Sequence, residues 1–558
     1  MKMMLVAINA KYIHSNLAVY SLYSYAKEYQ ENIVIGEYTI NQSSNEILKD
    51  IYQERPEILG FSCYIWNVSQ VFEIANEIHK VLPATKIWLG GPEVSYDAAA
   101  LLEKYDFITG IMCGEGEQTF TEVLAHYHQG NSDWATIDGI VWRDMAGEIM
   151  VNNARIPINL DHLPFVYDHF PENKIIYYES SRGCPFSCSY CLSSIDKKLR
   201  FRNQEIVKKE LQYFLDANVA QVKFVDRTFN CNHEHAQAIW SYLKEHDNGI
   251  TNFHFEISAD ILNEEEVRLL NSLRRGQVQL EIGVQSINPQ TLVAINRTMN
   301  FAKVKKYVGE VAKGRNVHQH LDLIVGLPHE DYESFKQSFN AIYELEPDQL
   351  QLGFLKVLKG SKMAIMAAEY GCLYQSKAPY EVLQTRWLSY EEVLKLKQVE
   401  EMVEVYYNSA QFVKTISEVV KLFLSPFTFY QELGAFYEMR KYTKVSHSRL
   451  QRYDILLEFL SEIPHANLAY YKELMIFDLY AREKLNKRPA WISEQMQDSQ
   501  QIREFYQGKQ EKRKTTHLEF FQYDIQNGQE ILLDKPAKAV FDYQRRNVLT
   551  NNAEVDFL

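Results

Sequence analysis

Short apolar runs alternate with stretches of helical periodicity through the first 150 residues. Met3–Asn9, Asn32–Ile40, Ile58–Cys63, Lys86–Gly91 and Phe107–Gly114 read as strands, and segments between them such as Asn67–Leu82 repeat apolar side chains every three or four residues. This alternation predicts a doubly wound α/β sheet, mostly parallel, whose ligand binds at the carboxyl ends of the strands. A hairpin, Asp138–Asp144 then Glu148–Asn153 about Ala146-Gly147, closes the domain, and Asn159–Phe165 reads as a linker.

From about residue 174 the alternation restarts. Lys174–Ser180, Val219–Asp226, Asn252–Ser258, Val278–Ser286, His318–Leu327 and Pro347–Lys356 are predicted strands separated by helical patterns. Six βα units predict a full or partial parallel barrel with its chemistry at the strands' carboxyl ends. Beyond residue 380 the pattern is aromatic and mainly helical, with strand-like pieces such as His517–Asp524 near the end. The expected domains are 1–150, 174–378 and 379–558, with 151–173 linking the first two.

A chain of 558 residues has room for all three. Its 46% hydrophobic content holds no apolar run near the ~20 residues of a membrane span. The opening Met1–Ala10 has too short an apolar core for a signal peptide, so it is read as the first strand and the protein as cytoplasmic. Net charge is −14, yet basic residues gather between Arg440 and Lys514. There Arg482, Lys484, Lys487, Arg488, Lys512, Arg513 and Lys514 interleave with Tyr480, Trp491, Phe505 and Tyr506. That mixture suits an RNA backbone with stacked bases, and equally a solvated surface over a helical core.

Of the seven cysteines, Cys63, Cys113, Cys231 and Cys372 are scattered and read as small buried side chains. Cys184, Cys188 and Cys191 lie together in SRGCPFSCSYC (Ser181–Cys191), on the loop after the first barrel strand. Three thiolates on one short loop can hold three irons of a cubane cluster and leave the fourth open to a small molecule. A structural zinc site would need a fourth protein ligand, and no Cys or His lies nearby at suitable spacing.

This C-x3-C-x2-C loop, with Tyr190 before its last cysteine, resembles the signature of the radical S-adenosylmethionine (SAM) superfamily across roughly Lys174 to Lys356. The resemblance implies a [4Fe-4S] cluster on Cys184, Cys188 and Cys191 and reductive cleavage of SAM to a 5′-deoxyadenosyl radical. It also implies SAM contacts from Tyr190, from Glu256 and Ser258 in HFEISAD, and from Gln285 and Ser286 in EIGVQS. Val325, Gly326 and Leu327 in DLIVGLPHE would flank the adenine. Asp226 at a strand tip reads equally as a SAM or substrate contact and as a structural carboxylate.

Two glycine-rich strand ends, Gly90-Gly91-Pro92-Glu93-Val94 and Gly114-Glu115-Gly116-Glu117, stand one strand apart in the first domain. Ahead of a radical SAM barrel they resemble the cobalamin-binding domain of the B12-dependent radical SAM enzymes. Asn9, His14, Ser62, Tyr64, Ile65 and Trp66 would then join those residues around the corrin. Tyr64, Ile65 and Trp66 would approach its lower face, although Trp66 reads as readily as core. The D-x-H-x-x-G loop of many cobalamin proteins is missing, which suits a cobalt without a protein ligand below. The third region resembles an uncharacterised domain of one branch of these proteins.

What the resemblance implies is a cobalamin-dependent radical SAM enzyme that methylates an unactivated carbon through methylcobalamin. Rearrangement, cyclisation or thioalkylation without net methyl transfer stays open, including on a tRNA nucleoside, as does a non-catalytic Fe-S sensor of SAM or redox state. The expected partners are an electron donor such as flavodoxin or ferredoxin and a substrate that is a small molecule, peptide or RNA, tRNA included. No membrane is among them.

Overall fold

The first strand shows how the amino-terminal sheet is built. In the computed structural model, which describes residues 1–130, 133–168, 170–485, 487–492, 499–508 and 510–558, β1 (Met3–Asn9) is buried at every position. Successive side chains of a strand point to opposite faces. Met4, Val6 and Ile8 accordingly join one apolar core with Ile47, Ile51, Val71 and Ile74, while Met3, Leu5 and Ala7 join another with Val19, Phe120 and Val123. Burial on both faces is the mark of a parallel sheet covered by helices on either side.

Around β1 lie β2 (Ile33–Thr39), β3 (Ile58–Ser62), β4 (Lys86–Gly90) and β5 (Gly110–Met112), followed by β6 (Ile140–Arg143) and β7 (Ile149–Val151). Their order is β2-β1-β3-β4-β5-β6-β7. The first five pair in parallel and the last two antiparallel. The hairpin thus does more than close the domain: it continues the sheet and covers the edge that β5 would expose. β5 has three residues where the sequence predicts eight, since the chain before it turns at Asp106 and Phe107.

The chain divides into two compact units. The first comprises Met1–Leu280, Leu292–Lys303 and Phe354–Arg386; the second comprises Glu281–Thr291, Val304–Gly353 and Trp387–Leu558. In the first, β8 (Ile176–Tyr178), β11 (Gln221–Phe224) and β12 (Asn252–Ile257) pair in parallel. Between β8 and β11 a short ribbon forms from β9 (Ser181–Arg182) and β10 (Arg200–Phe201). β13 (Val278–Gln285) begins in the first unit, and β14 (His318–Val325) and β15 (Gln349–Phe354) belong to the second as far as Gly353. Six strands, each followed by a helix, therefore succeed one another along this part of the chain.

The expected linker is anchored around Leu160–Tyr167. Leu160 and Leu163 accept hydrogen bonds from the Arg202 guanidinium through their carbonyls, and the buried Tyr167 donates its hydroxyl to the Tyr177 carbonyl at 2.7 Å.

In the second unit, helix Tyr332–Tyr343 packs on helix Pro426–Met439, fixed by Tyr332 Oη to Gln431 at 2.8 Å. The region beyond residue 380 is helical as expected, and it ends in a three-stranded antiparallel sheet, Thr516–Asp524, Gln529–Arg546 and Ala553–Phe557. Helix Leu468–Arg482 carries this sheet: Glu473 accepts the Gln522 and Tyr523 amides at 2.9 Å. The basic and aromatic residues of this region are largely engaged in it. Arg482 holds the Thr550 carbonyl at 2.8 Å, Arg488 pairs with Glu519, and the buried Tyr480 stacks on His517. Lys487, Lys512, Arg513 and Lys514 remain exposed.

Candidate functional site

The cysteine loop leaves β8 under tight control. Asp226, fully buried just beyond β11, accepts the Ser180 amide at 3.0 Å and the hydroxyls of Ser180 and Ser181 at 2.6 and 2.5 Å. Burial raises its pKa against those hydrogen bonds. The carboxylate is thereby engaged with the entry to the loop and does not line the cavity described below.

The β9–β10 ribbon then closes the base of the loop. Gly183 sits at φ 93°, where an added Cβ would lie 2.6 Å from the Lys198 carbonyl oxygen, so only glycine lets the chain turn there. The Cys184 amide donates to the Asp196 carbonyl across the loop at 3.0 Å. The Ser189 amide donates to the Ile295 carbonyl, and the Ser189 carbonyl accepts from the Met363 amide. Cys184 and Cys188 are buried and Cys191 is half-buried. Burial raises the Cys184 thiol's pKa, and the neighbouring Cys191 and Cys188 push it the same way. Among the described residues no three His, Cys, Asp or Glu side chains converge on the place of a single metal ion. A cluster in which each thiolate takes a different iron requires no such convergence. Arg297 brings its guanidinium to 3.6 Å from Cys188 Sγ and 3.5 Å from Tyr190 Oη.

A cavity of about 1040 Å³ lies in the first unit at the carboxyl ends of its strands. That is ample for a large cofactor. One side of it is formed by Gly90, Gly91, Gly114 and Gly116. Gly91, at φ 112°, has no room for a Cβ beside the Cys63 carbonyl, whereas Gly114, at φ 80°, would project one into open space. Bare backbone there fits a cofactor laid against the strand ends. Tyr64 and Trp66 add an aromatic wall: their rings stack 4.4 Å apart, and Trp66 donates its indole N–H to the Ile8 carbonyl at 3.0 Å. Trp66 is 42% exposed, which excludes the core reading. The buried Asn67 fixes this turn by donating to the carbonyls of Ile8 and Ser62.

Asn9, His14 and Ser62 also face the cavity. His14 Nδ1 is 2.7 Å from the Tyr177 hydroxyl, and burial lowers its pKa, which favours the neutral ring. Glu115 and Glu117 line the cavity too, but their carboxylates are engaged with Arg182 and Arg200. Ile65, Glu93 and Val94 stand apart from it. Val94 is wholly buried in the domain core, and the buried Glu93 carboxylate is held by Tyr380 and Lys359. Pro92 lines it beside Gly91.

The residues expected around SAM are divided between the units. In the first, the amide and carbonyl of Ser258 are bound by the Asn230 side chain, and Glu256 is half-buried at the end of β12. In the second, Gln285 adopts φ 72° with its buried Oε1 unpartnered among the described residues. That leaves a polar atom to be met by a ligand. Ser286 is buried and donates its hydroxyl to Glu330 at 2.7 Å; Val325 and Leu327 are buried on either side of Gly326, at φ 88°. Glu330, Arg297, Arg182 and Arg200 were not singled out by sequence. Arg182 and Arg200 flank the cysteine loop itself and meet partners from the strand-end loop after β5, whereas Arg297 reaches Cys188 from 109 residues away.

Comparison with known proteins agrees with this architecture. The B12-binding domain model matches residues 3–124, the radical SAM superfamily model residues 178–342, and a model described as a protein of unknown function (DUF4080) residues 368–541. The cobalamin-dependent radical SAM methyltransferase TokK of Streptomyces tokunonensis is 24% identical over 52% of this chain and 45% of its own length. The uncharacterized methyltransferase PH0819 of Pyrococcus horikoshii is 23% identical over 57% of this chain and 71% of its own. The anaerobic magnesium-protoporphyrin IX monomethyl ester cyclase of Rubrivivax gelatinosus is 23% identical over 58% and 61%. The chain thus spans about half the length of the first of these relatives. Among solved structures, the radical SAM methyltransferase TsrM of Kitasatospora setae matches with TM-score 0.56 and 18% identity, over 67% of this chain and 78% of that one. The cobalamin-dependent OxsB matches with TM-score 0.59 and 15% identity, over 86% and 80%. Both likenesses are of fold. In order along the chain a B12-binding domain, a radical SAM domain and a DUF4080 region thus follow one another, and cobalamin, SAM and a [4Fe-4S] cluster are the cofactors of this combination of domains.

Proposed function

We propose that the protein is a cobalamin-dependent radical SAM methyltransferase acting on an unactivated carbon of a small molecule. One observation carries the reading. A single cavity in the first unit is lined both by the glycine-rich strand ends of the B12-binding sheet and by Leu192, Ile195 and Asp196 of the cysteine loop. Bound together, the cofactors would supply reductive cleavage of SAM to a 5′-deoxyadenosyl radical, hydrogen abstraction from the substrate, and a methyl group for the carbon left behind.

The chain's own part is holding, orienting and excluding water. Cys184, Cys188 and Cys191 hold the cluster, and Asp226 sets the loop that carries them. The backbones of Gly90, Gly91, Gly114 and Gly116 cradle cobalamin, with Tyr64 and Trp66 as an apolar wall. In the first unit Tyr190, Glu256 and Ser258 would contact SAM. No general base is required for hydrogen abstraction. A flavodoxin or ferredoxin would deliver the electron. The name of another relative, 2-(S-pantetheinyl)-carbapenam-3-carboxylate methyltransferase, favours a small-molecule substrate, and the engagement of Arg482, Arg488 and Tyr480 within the carboxy-terminal fold gives RNA little support.

Anaerobic incubation of the reconstituted protein with reductant, SAM and fractionated cell extract tests this. Formation of 5′-deoxyadenosine and S-adenosylhomocysteine, both rising with one fraction, is expected. Deoxyadenosine without S-adenosylhomocysteine would replace methyl transfer by cyclisation or rearrangement, the reading that the likeness to a cyclase favours. Neither product, with cluster and cobalamin bound, would sink the radical reading.

A further inference from the structure

The ribbon that closes the cysteine loop contains an electrostatic conflict. Arg182 and Arg200 are register partners on its two antiparallel strands, so two guanidiniums stand opposite each other. Like charges in that position destabilise a strand pair. Both side chains are mostly buried, at 15% and 11% exposure, so water screens them poorly.

Glu115, from the strand-end loop after β5, resolves the conflict. Its Oε1 lies 2.5 Å from Arg200 Nη2 and 3.4 Å from Arg182 Nη1, and its Oε2 lies 3.1 Å from Arg200 Nη1. The carboxylate therefore bridges the pair. It also accepts the Ile158 amide at 2.8 Å, which fixes its own position. Arg182 has further carboxylates in Glu117 at 2.5 Å and Glu179 at 2.9 Å, and Arg200 has Asp196 at 3.0 Å. Glu115 is the carboxylate that touches both.

We propose that Glu115 is a positioning residue for the cysteine loop, an anionic bridge from the B12-binding sheet that lets the Arg182–Arg200 rung form and keeps residues 183–199 closed. The glycine-rich loop Gly114–Glu117 then has two duties, its backbone toward the cavity and its carboxylates toward the cluster loop. Loop closure is thereby coupled to the placement of the first domain's strand end. The proposal stands whether or not the protein transfers methyl groups.

Hydrogen–deuterium exchange of the full chain without cluster, under anaerobic conditions, is the test. Glu115→Gln is expected to speed exchange in residues 183–199 by about tenfold, the factor that 1.4 kcal/mol represents. In the reconstituted protein it is expected to speed iron loss to a chelator. Glu122→Gln, which breaks the ion pair with Arg155 in the same domain, should leave the loop as in the parent. Glu115→Gln with Arg200→Gln removes the bridge together with one of the charges it separates, and should restore slow exchange, a recovery that general misfolding cannot produce. Unchanged exchange in Glu115→Gln, an equal rise in Glu122→Gln, or a double variant no better than the single one would each overturn the proposal.

Discussion

Glu330 shows how much a single buried carboxyl can decide. It accepts the Ser286 hydroxyl at 2.7 Å and the Ser338 hydroxyl at 2.9 Å, and burial raises its pKa from 4.5 to about 7. Below pH 4.5 it is protonated whether the chain is folded or not. Between 4.5 and 7 the folded state keeps a proton that the unfolded state has released, so stability falls as pH rises through that window and the contribution is gone above it. Glu330→Gln keeps an acceptor for both serines and cannot ionise. Its melting temperature should gain on the parent's between pH 5 and pH 8, and a difference that stays constant with pH would refute the account. Cys188→Ala is expected to abolish 5′-deoxyadenosine formation while cobalamin still binds, read by absorbance. The three cysteines were legible in the sequence because their function demands close spacing on one loop. Arg297, beside Cys188, was not legible: it is brought there from 109 residues away, by a packing that local patterns do not encode. Asp226 was visible as a strand-tip carboxylate, but its hydrogen bonds to Ser180 and Ser181 were not, because they join residues 45 and 46 positions apart.

At the scale of elements, burial on both faces made the parallel strands easy to read. β1 occupies the predicted Met3–Asn9, and helix Val68–Val81 lies within the predicted Asn67–Leu82. Strands with one solvated face were harder. Gln529–Arg546 runs for 18 residues, but most of its first ten are exposed and they include Asp534, Lys535 and Pro536, which give no apolar alternation. Conformational demands at strand ends were legible as glycines, and Gly91 carries the sharpest one. Alanine there must adopt φ 112° with its Cβ 2.5 Å from the Cys63 carbonyl oxygen, a position with no flexible neighbour to yield. Gly91→Ala should cost about 1–3 kcal/mol in denaturant unfolding and weaken cobalamin binding. A variant as stable as the parent would mean that the strand end relaxes more easily than its packing suggests.

The two compact units are not continuous stretches of chain. Phe354–Arg386, which follows the last barrel strand, belongs with the amino-terminal unit. Its attachments are specific: Lys359 reaches Asp97 at 2.9 Å, the Tyr380 hydroxyl donates to the buried Glu93, and the Tyr96 ring leaves no room for a Cβ on Gly360. Tyr380→Phe should destabilise the first unit by about 1–3 kcal/mol, because a buried acceptor loses its donor. Thermal unfolding under anaerobic conditions would reveal this, and an unchanged midpoint would show that Lys359 alone satisfies Glu93. No helix among the described residues is long and apolar enough to cross a membrane.

This return of the chain bears on how the protein is made. A ribosome releases the strands of the B12-binding sheet early, yet the segment that completes their unit is synthesised only at Phe354–Arg386. Until then the nascent chain has no Lys359 or Tyr380 for Asp97 and Glu93. Completion of the first unit is therefore expected only once Phe354–Arg386 has emerged, late in translation. Messages truncated between those two stages should yield chains that are retained by chaperones or degraded.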